Sequence, residues 1–278
     1  MRRWFFVLAL VGAACGVPAG EPRATSEGCS LEPTDGLEMR RLSVSGRSHT
    51  YFLYVPDRLG GGDAPLLLSF HGRGDRPQSH GSGTGWTDEA DDGRFIVGFP
   101  DGGWDWSLER NSDEVAFARA VVEEVSDEYC VDSGRVFASG HSMGGYFAQR
   151  LGCDAAGVFA AVTSYAGGTP DVQDRCVLSK PISIGLFHGD ADRVIPLRAG
   201  KESRDGWVDR LGCDDTPIDG AGDDGSSQRY RRCDGGAELL WRVYPRQDHF
   251  WPVEPRRSEM LGEMWAFLNR FPMGTVGK

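Results

Sequence analysis

The stretch Arg135-Val136-Phe137-Ala138-Ser139-Gly140-His141-Ser142-Met143-Gly144-Gly145 decides how the remainder of the chain is read. A short apolar run leads into Gly-x-Ser-x-Gly, and Tyr146 to Leu151 continue as a helix-compatible segment. Strand, sharp turn and helix in that order form the setting in which a serine hydroxyl is lifted clear of the backbone as a nucleophile. Glycine at 140 and 144 lets strand and helix approach where a Cβ would collide. The helix that follows turns its partial positive end toward Ser142.

Outward from this stretch, apolar runs recur along the chain. Leu66 to Phe70, Phe95 to Phe99, Val136 to Ser139, Ala160 to Tyr165, Ile182 to Phe187 and Leu239 to Tyr244 read as strands. Their unbroken apolar character is that of strands covered on both faces. Met39 to Val44 and Thr50 to Val55, around Ser45-Gly46-Arg47, read as an opening hairpin. Asn111-Ser112-Asp113-Glu114 resembles a capping box, and Phe117, Val121 and Val125 follow at helical spacing. Met260, Leu261, Met264, Trp265 and Leu268 give a closing amphipathic helix. Strands alternating with helices predict one α/β domain over 36–278, built on a mostly parallel sheet flanked by helices.

The first residues read differently. Arg2 and Arg3 precede an apolar run from Trp4 to Ala14, too short to span a bilayer, so 1–19 are expected to be an export signal. Cleavage is expected after Ala19 or before Cys15; the second alternative makes Cys15 a site of lipid anchoring in a bacterial envelope. Residues 20–35, rich in Gly, Pro, Ser, Thr and Glu, read as a tether. The chain has seven cysteines, and without Cys15 six remain, an even set that predicts three disulfides in an oxidising, extracellular setting. Cys213 and Cys233 flank the polar segment Asp214 to Gln228 and are the favoured pair. A formal net charge of −11 argues against nucleic acid and anionic membrane as partners. No C-x-x-C or H-E-x-x-H occurs, so no metal site is expected.

A serine nucleophile needs a base, a carboxylate that orients the base, and donors for the developing oxyanion. After Ser142 the next strand-end carboxylates lie in His188-Gly189-Asp190-Ala191-Asp192, and the last histidine is His249, just after the final strand. Ser, Asp, His is the chain order of α/β-hydrolase sites. Asp192 is better placed than Asp190, because the turn lets its side chain reach back toward His249. Asp248 reads as a hydrogen-bonder of its own loop, and His141 and His188 as packing residues beside the reacting groups. His71-Gly72-Arg73-Gly74 follows an early strand, where the backbone N–H of Arg73 joins that of Met143 as an oxyanion donor.

Five segments together carry a resemblance. They are Leu68 to Gly74, Phe99-Pro100-Asp101-Gly102, Tyr129 to Gly145, Phe187 to Asp192, and Asp248-His249-Phe250-Trp251-Pro252. In these the chain resembles secreted serine esterases of the polyhydroxybutyrate depolymerase and feruloyl esterase group, whose feruloyl and acetylxylan members form carbohydrate esterase family 1. The resemblance runs from about residue 50 to 271. It implies an α/β-hydrolase fold, Ser142 as nucleophile, Asp192 as acid, His249 as base, and no metal or organic cofactor. It departs at Gln247-Asp248, where the group has Gly-Gly, and at Arg73, where it often has Cys; both positions are expected at the mouth of the site.

Lids of such folds are commonly inserted after the strand at 160–165, and Ala166 to Pro181 are too few for a cap domain. An open cleft is therefore expected, with His71, Trp104, Trp106 and Trp251 as candidate substrate contacts. The substrate expected is a plant cell-wall ester, a feruloyl or acetyl group on polysaccharide, bound by a monomer. The alternatives are a polyhydroxyalkanoate, a small ester, or a surface binding protein that has lost catalysis.

Overall fold

The computed structural model describes residues 29–60, 62–169, 176–219 and 227–273. The expected export signal, Cys15 and the tether before residue 29 lie outside the described residues.

The apolar run at 66–70 belongs to β3, Ala64–Phe70, all seven residues of which are buried. Its side chains alternate between two cores. Leu66, Leu68 and Phe70 join Val121, Phe147 and Leu151, whereas Leu67 joins Phe95, Phe137 and Trp265. A strand apolar on both faces requires helices on both sides of its sheet. Parallel neighbours extend it: β4 (Ile96–Pro100), β5 (Val131–His141), β6 (Ala161–Tyr165), β7 (Ser183–Gly189) and β10 (Leu239–Tyr244). The hairpin β1 (Glu38–Val44) and β2 (Arg47–Tyr54) adds antiparallel strands at one edge, and β9 (Ser227–Tyr230) with β8 (Ile218–Asp219) at the other. Among the described residues the sheet has ten strands in the order β1-β2-β4-β3-β5-β6-β7-β10-β9-β8. This is the α/β-hydrolase architecture, with a mostly parallel sheet and, among the described residues, no cap domain: the β6–β7 connection is only 166–182.

Helices α3 (Asp113–Glu128), α4 (Met143–Asp154) and α5 (Leu197–Arg210) cover one face through Phe117, Val121, Phe147, Leu151 and Trp207. Helices α2 (Trp86–Gly93) and α6 (Arg256–Leu268) cover the other through Trp86, Met260, Met264 and Trp265. A short α1, Pro77–Thr84, precedes α2. The hairpin turns at Ser45 and Gly46, both at positive φ (53° and 76°), the twist that suits a two-residue connection. The cap of α3 differs from expectation by one residue. Asn111 is at positive φ, and Ser112 is the N-cap, its hydroxyl accepting the N–H of Val115 at 3.3 Å. Ser112 has the extended backbone that a capping side chain needs, and Asn111 does not.

All six cysteines beyond Cys15 are paired: Cys29–Cys130, Cys153–Cys176 and Cys213–Cys233. The first ties the amino-terminal segment to the α3–β5 connection, where Ser30 and Tyr129 also form a parallel bridge. The sequence separations are 101, 23 and 20 residues. In the chain-entropy account a longer closed loop constrains the unfolded chain more. Replacing Cys29 and Cys130 by alanine is thus expected to lower stability by about 4–5 kcal/mol, against about 3 kcal/mol for Cys213 and Cys233. Denaturant unfolding of the two double variants measures the difference, and equal losses would contradict the ranking.

Candidate active site

The turn between β5 and α4 is a tight backbone crossing. Ser142 sits at φ 53°, ψ −119°, and its N–H is held by the carbonyl of Tyr165 at 2.9 Å. A Cβ on Gly140 would stand 2.0 Å from the Gly144 carbonyl oxygen, and one on Gly144 would stand 2.1 Å from that of Phe70. Neither obstacle is a movable side chain, so both positions require glycine. The strained turn lifts the Ser142 hydroxyl into a cleft of about 620 Å³.

Two loops from the same end of the sheet meet that hydroxyl. His249, five residues after β10, places Nε2 at 2.8 Å from Ser142 Oγ, and its Nδ1 lies 2.8 Å from Asp192 Oδ2. A carboxylate only accepts, so Nδ1 carries the proton and, in the neutral ring, Nε2 accepts from the serine hydroxyl. Asp192 follows β7 and is buried; its other oxygen, Oδ1, accepts the N–H groups of Val194 and Ile195, each at 2.8 Å. Asp190 is engaged elsewhere, accepting the Arg246 N–H at 2.5 Å. His188 lies 3.6 Å from Asp192 Oδ2 and donates Nε2–H to the Ile195 carbonyl at 2.8 Å. Burial holds the His188 pKa below its ordinary value, so it packs there as a neutral ring.

Arg73 and Met143 both line the cleft beside Ser142. Met143 opens α4, where the first N–H groups of a helix have no intrahelical partner. The Arg73 guanidinium donates to Asp105 at 2.8 Å and reaches the Met143 sulfur at 3.9 Å. His71 and Trp106 are buried and are not among the residues that line the cleft. His71 is 0% exposed; it donates Nδ1–H to the Gly72 carbonyl at 2.9 Å and accepts the Gly102 N–H at 3.1 Å on Nε2. Trp106 is 2% exposed, donates Nε1–H to the His71 carbonyl at 2.9 Å, and stacks on Phe147. Both brace the loop that carries Arg73 from behind. Trp104, by contrast, is 76% exposed and forms part of the cleft wall. Trp251 lies beneath the site, against His141 and Tyr165, and is not among the residues facing the cleft. Gln247 is buried as well. Its amide donates to the Phe250 carbonyl at 2.9 Å and to Asp248 Oδ1 at 3.2 Å, so it clamps the histidine loop instead of lining the mouth.

No family model matches the chain. Individual relatives do. Feruloyl esterase C of Emericella nidulans is 32% identical over 204 residues, covering 70% of this chain and 72% of the relative. The chain belongs to the feruloyl esterase family. Feruloyl esterase D of Neurospora crassa is 26% identical over 292 residues, covering 96% of both chains. Among solved structures, an acetyl xylan esterase from Aspergillus awamori superposes with a TM-score of 0.66 at 15% identity, over 83% of this chain and 99% of that one. The protein is accordingly a carboxylic ester hydrolase.

Several residues of this esterase's cleft carried no signal in sequence. Phe250, 65% exposed, stands next to His249, and Leu108, Tyr146, Val194 and Ile195 complete the wall. All but Tyr146, which lies in the first turn of α4, are on loops without periodicity, and adjacency to His249 was the one available pointer, for Phe250. His141 acts from below. Its Nε2–H donates to the His249 carbonyl at 2.7 Å, and its ring stacks on Tyr165 at 5.4 Å. Tyr165 in turn donates its hydroxyl to the Phe250 carbonyl at 2.7 Å.

Burial lowers the His141 pKa to about 4. The folded protein therefore keeps this ring neutral, while the unfolded chain takes up a proton near pH 6.5. Stability from this group is complete above pH 6.5 and is lost as pH falls toward 4, by roughly 3 kcal/mol. Glu89, raised to about 7 by burial and by Asp92, alters the profile in wild type and variant alike, whereas the buried His80, lowered by burial and in part by His141 itself, changes slightly with it. The difference in unfolding free energy between wild type and His141→Asn should narrow by that amount from pH 7 to pH 4. Parallel curves would remove His141 as the source.

Proposed function

We propose that this esterase hydrolyses hydroxycinnamoyl esters of plant cell-wall polysaccharide through Ser142, His249 and Asp192. The reading rests on one observation above others: Ser142 Oγ, His249 and Asp192 form an unbroken chain of 2.8 Å hydrogen bonds on the floor of an open cleft.

In the proposed reaction His249 Nε2 takes the Ser142 proton as Oγ attacks the ester carbonyl. Asp192, itself held by two backbone N–H groups, keeps the imidazole in the productive tautomer and stabilises the imidazolium. The N–H groups of Arg73 and Met143 receive the oxyanion, aided by the positive end of α4. His249 returns the proton to the departing alcohol oxygen. A water then repeats the sequence on the acyl-enzyme, releasing the acid and free Ser142.

The walls favour an aromatic acyl group over acetate. Trp104, Leu108, Val194 and Phe250 give the cleft an apolar lining, and its volume of about 620 Å³ is that of a site for a ring-sized ligand. An acetyl group would leave most of it unfilled. The names of the relatives, feruloyl esterases among them, support the same choice. We infer that the enzyme acts outside the cell, exported by residues 1–19, and its three disulfides support that setting.

Hydrolysis of methyl ferulate, p-nitrophenyl acetate and poly(3-hydroxybutyrate) by the wild type and by Ser142→Ala tests this reading. Ferulate release should dominate and should fall by at least about 10⁴-fold in the variant. Release of acetate or hydroxybutyrate alone would refute the assignment of substrate, and turnover that survives Ser142→Ala would refute the mechanism. Truncating the aromatic wall by Phe250→Ala should raise KM for methyl ferulate by about tenfold. The same variant should leave p-nitrophenyl acetate hydrolysis within about twofold. Equal effects on the two esters would show that Phe250 does not contact the acyl ring.

A further inference from the structure

A second cavity, of about 510 Å³, opens beside the cleft. Trp104 lies in both walls, and Arg73 of the cleft is followed directly in the chain by Gly74 and Asp75 of the second cavity. The two therefore form one trough divided by an indole. The second cavity occupies the same end of the sheet as the cleft, since Asp101 follows β4 and Asp75 and Arg76 follow β3. The indole is fixed at the divide. The Trp104 carbonyl accepts the Gly74 N–H at 2.8 Å, and the ring lies so close to Gly74 that an added Cβ would stand 3.2 Å from it.

The chemistry of the second cavity is mixed. Phe52 and Met39 supply apolar surface from β2 and β1, and Asp75, Asp101, Arg76 and Gln78 supply polar groups. Asp75 Oδ1 accepts the Arg76 N–H and Asp101 Oδ1 accepts the Gly103 N–H, each at 2.8 Å. Carboxylates fixed in this way offer acceptor positions to hydroxyl groups. Two carboxylates against one guanidinium, on a chain of net charge −11, disfavour an anionic ligand. A ligand rich in hydroxyls, uncharged, and with apolar C–H faces for Phe52 and Trp104 matches all of these groups at once.

We propose that the second cavity binds the neutral oligosaccharide that carries the scissile ester, with Trp104 stacking on a sugar ring at the junction. The proposal rests on the esterase reading of the adjoining cleft. Acyl group and carbohydrate then leave the ester carbonyl in opposite directions, one toward Phe250 and the other over Trp104. Binding energy from the sugar chain would position the ester at Ser142 and would appear mainly in KM.

The test compares methyl ferulate with a feruloylated xylo-oligosaccharide, using the full chain and the surface variant Arg76→Ala/Gln78→Ala. Removing two polar contacts should raise KM for the oligosaccharide ester by about tenfold. Methyl ferulate turnover should stay within about twofold, which also shows that the variant is folded. Calorimetric titration with unesterified xylo-oligosaccharide should show binding to the wild type that the variant has lost. Unchanged KM for the oligosaccharide ester, or an equal rise for both esters, would overturn the proposal while leaving the cleft assignment standing. Conversely, a wild type that binds the unesterified oligosaccharide but leaves methyl ferulate intact would support the second cavity and defeat the reading of the first.

Discussion

Between β5 and α4 the backbone passes so close to itself, and to the end of β3, that two side chains have to be absent. At Gly140 and Gly144 the space a Cβ would occupy is filled by carbonyl groups of Gly144 and Phe70. No rotamer change relieves a contact of that kind. Much of the site's arrangement depends on this approach. It seats the amino-terminal end of α4 against the end of β3, so that Met143 and the loop after Phe70 border one cleft. It also holds Ser142 at positive φ, where a non-glycine residue persists only if its surroundings leave no alternative. Those surroundings include the bond from Ser142 N–H to Tyr165, the last residue of β6. A buried network behind α4 adds to them: the Gln149 side chain bonds Ser164, Ser203 and Trp207, tying the helix to β6 and α5.

His249 and Asp192, the partners of Ser142, stand on loops, which by themselves are poor platforms for sub-ångström geometry. The molecule offsets this by bonding the loops to one another and to the sheet. His141, adjacent to Ser142, fixes the carbonyl of His249; Tyr165 holds the next carbonyl along the same loop, that of Phe250; and Gln247 closes the loop on itself. The carboxylate of Asp192 is oriented by its own turn through Val194 and Ile195. On the opposite side His71 joins the loop after β3 to the loop after β4, and the indole of Trp106 braces both. Most of these contacts are buried side chains bonding to backbone, which positions the reacting atoms without occupying the cleft.

The sheet and the meeting of Ser142, Asp192 and His249 were legible because they follow strong local rules. Strands buried on both faces must be apolar throughout, and the elbow must carry glycines at fixed offsets. Helix α5 was not legible for a physical reason. Its buried residues are Gly200, Ser203, Trp207 and Val208; only the adjacent pair Trp207 and Val208 is large and apolar, so no apolar stripe runs along the helix. Helix α1, Pro77–Thr84, has a composition that by propensity argues for a loop; its turn is fixed by Pro77 at the start and by packing of His80 and Gly81 on the sheet. Strands β8 and β9 are short, polar and dependent on β10 for pairing. In the site itself, residue type did not reveal which way a side chain faces: His71, Trp106 and Trp251 lie behind the cleft wall and not in it.

Trp104 and Trp106 show why local sequence could not separate brace from wall. They are two residues apart in one irregular loop, and one is 76% and the other 2% exposed. In a regular strand, residues at that spacing share a face, so periodicity would have given both the same fate. The loop departs from it because its backbone bonds to its neighbours individually: Trp104 O receives the N–H of Gly74, whereas the N–H of Trp106 bonds to Asp105 Oδ1 at 2.9 Å. Asp105 also receives the Arg73 guanidinium, so the residue between the two indoles links the loops after β3 and β4. Where the cleft's aromatic groups point is thus decided by contacts between loops distant in sequence. Substitutions confined to those loops can reshape the substrate surface while leaving the glycine crossing, and the serine it presents, unaltered.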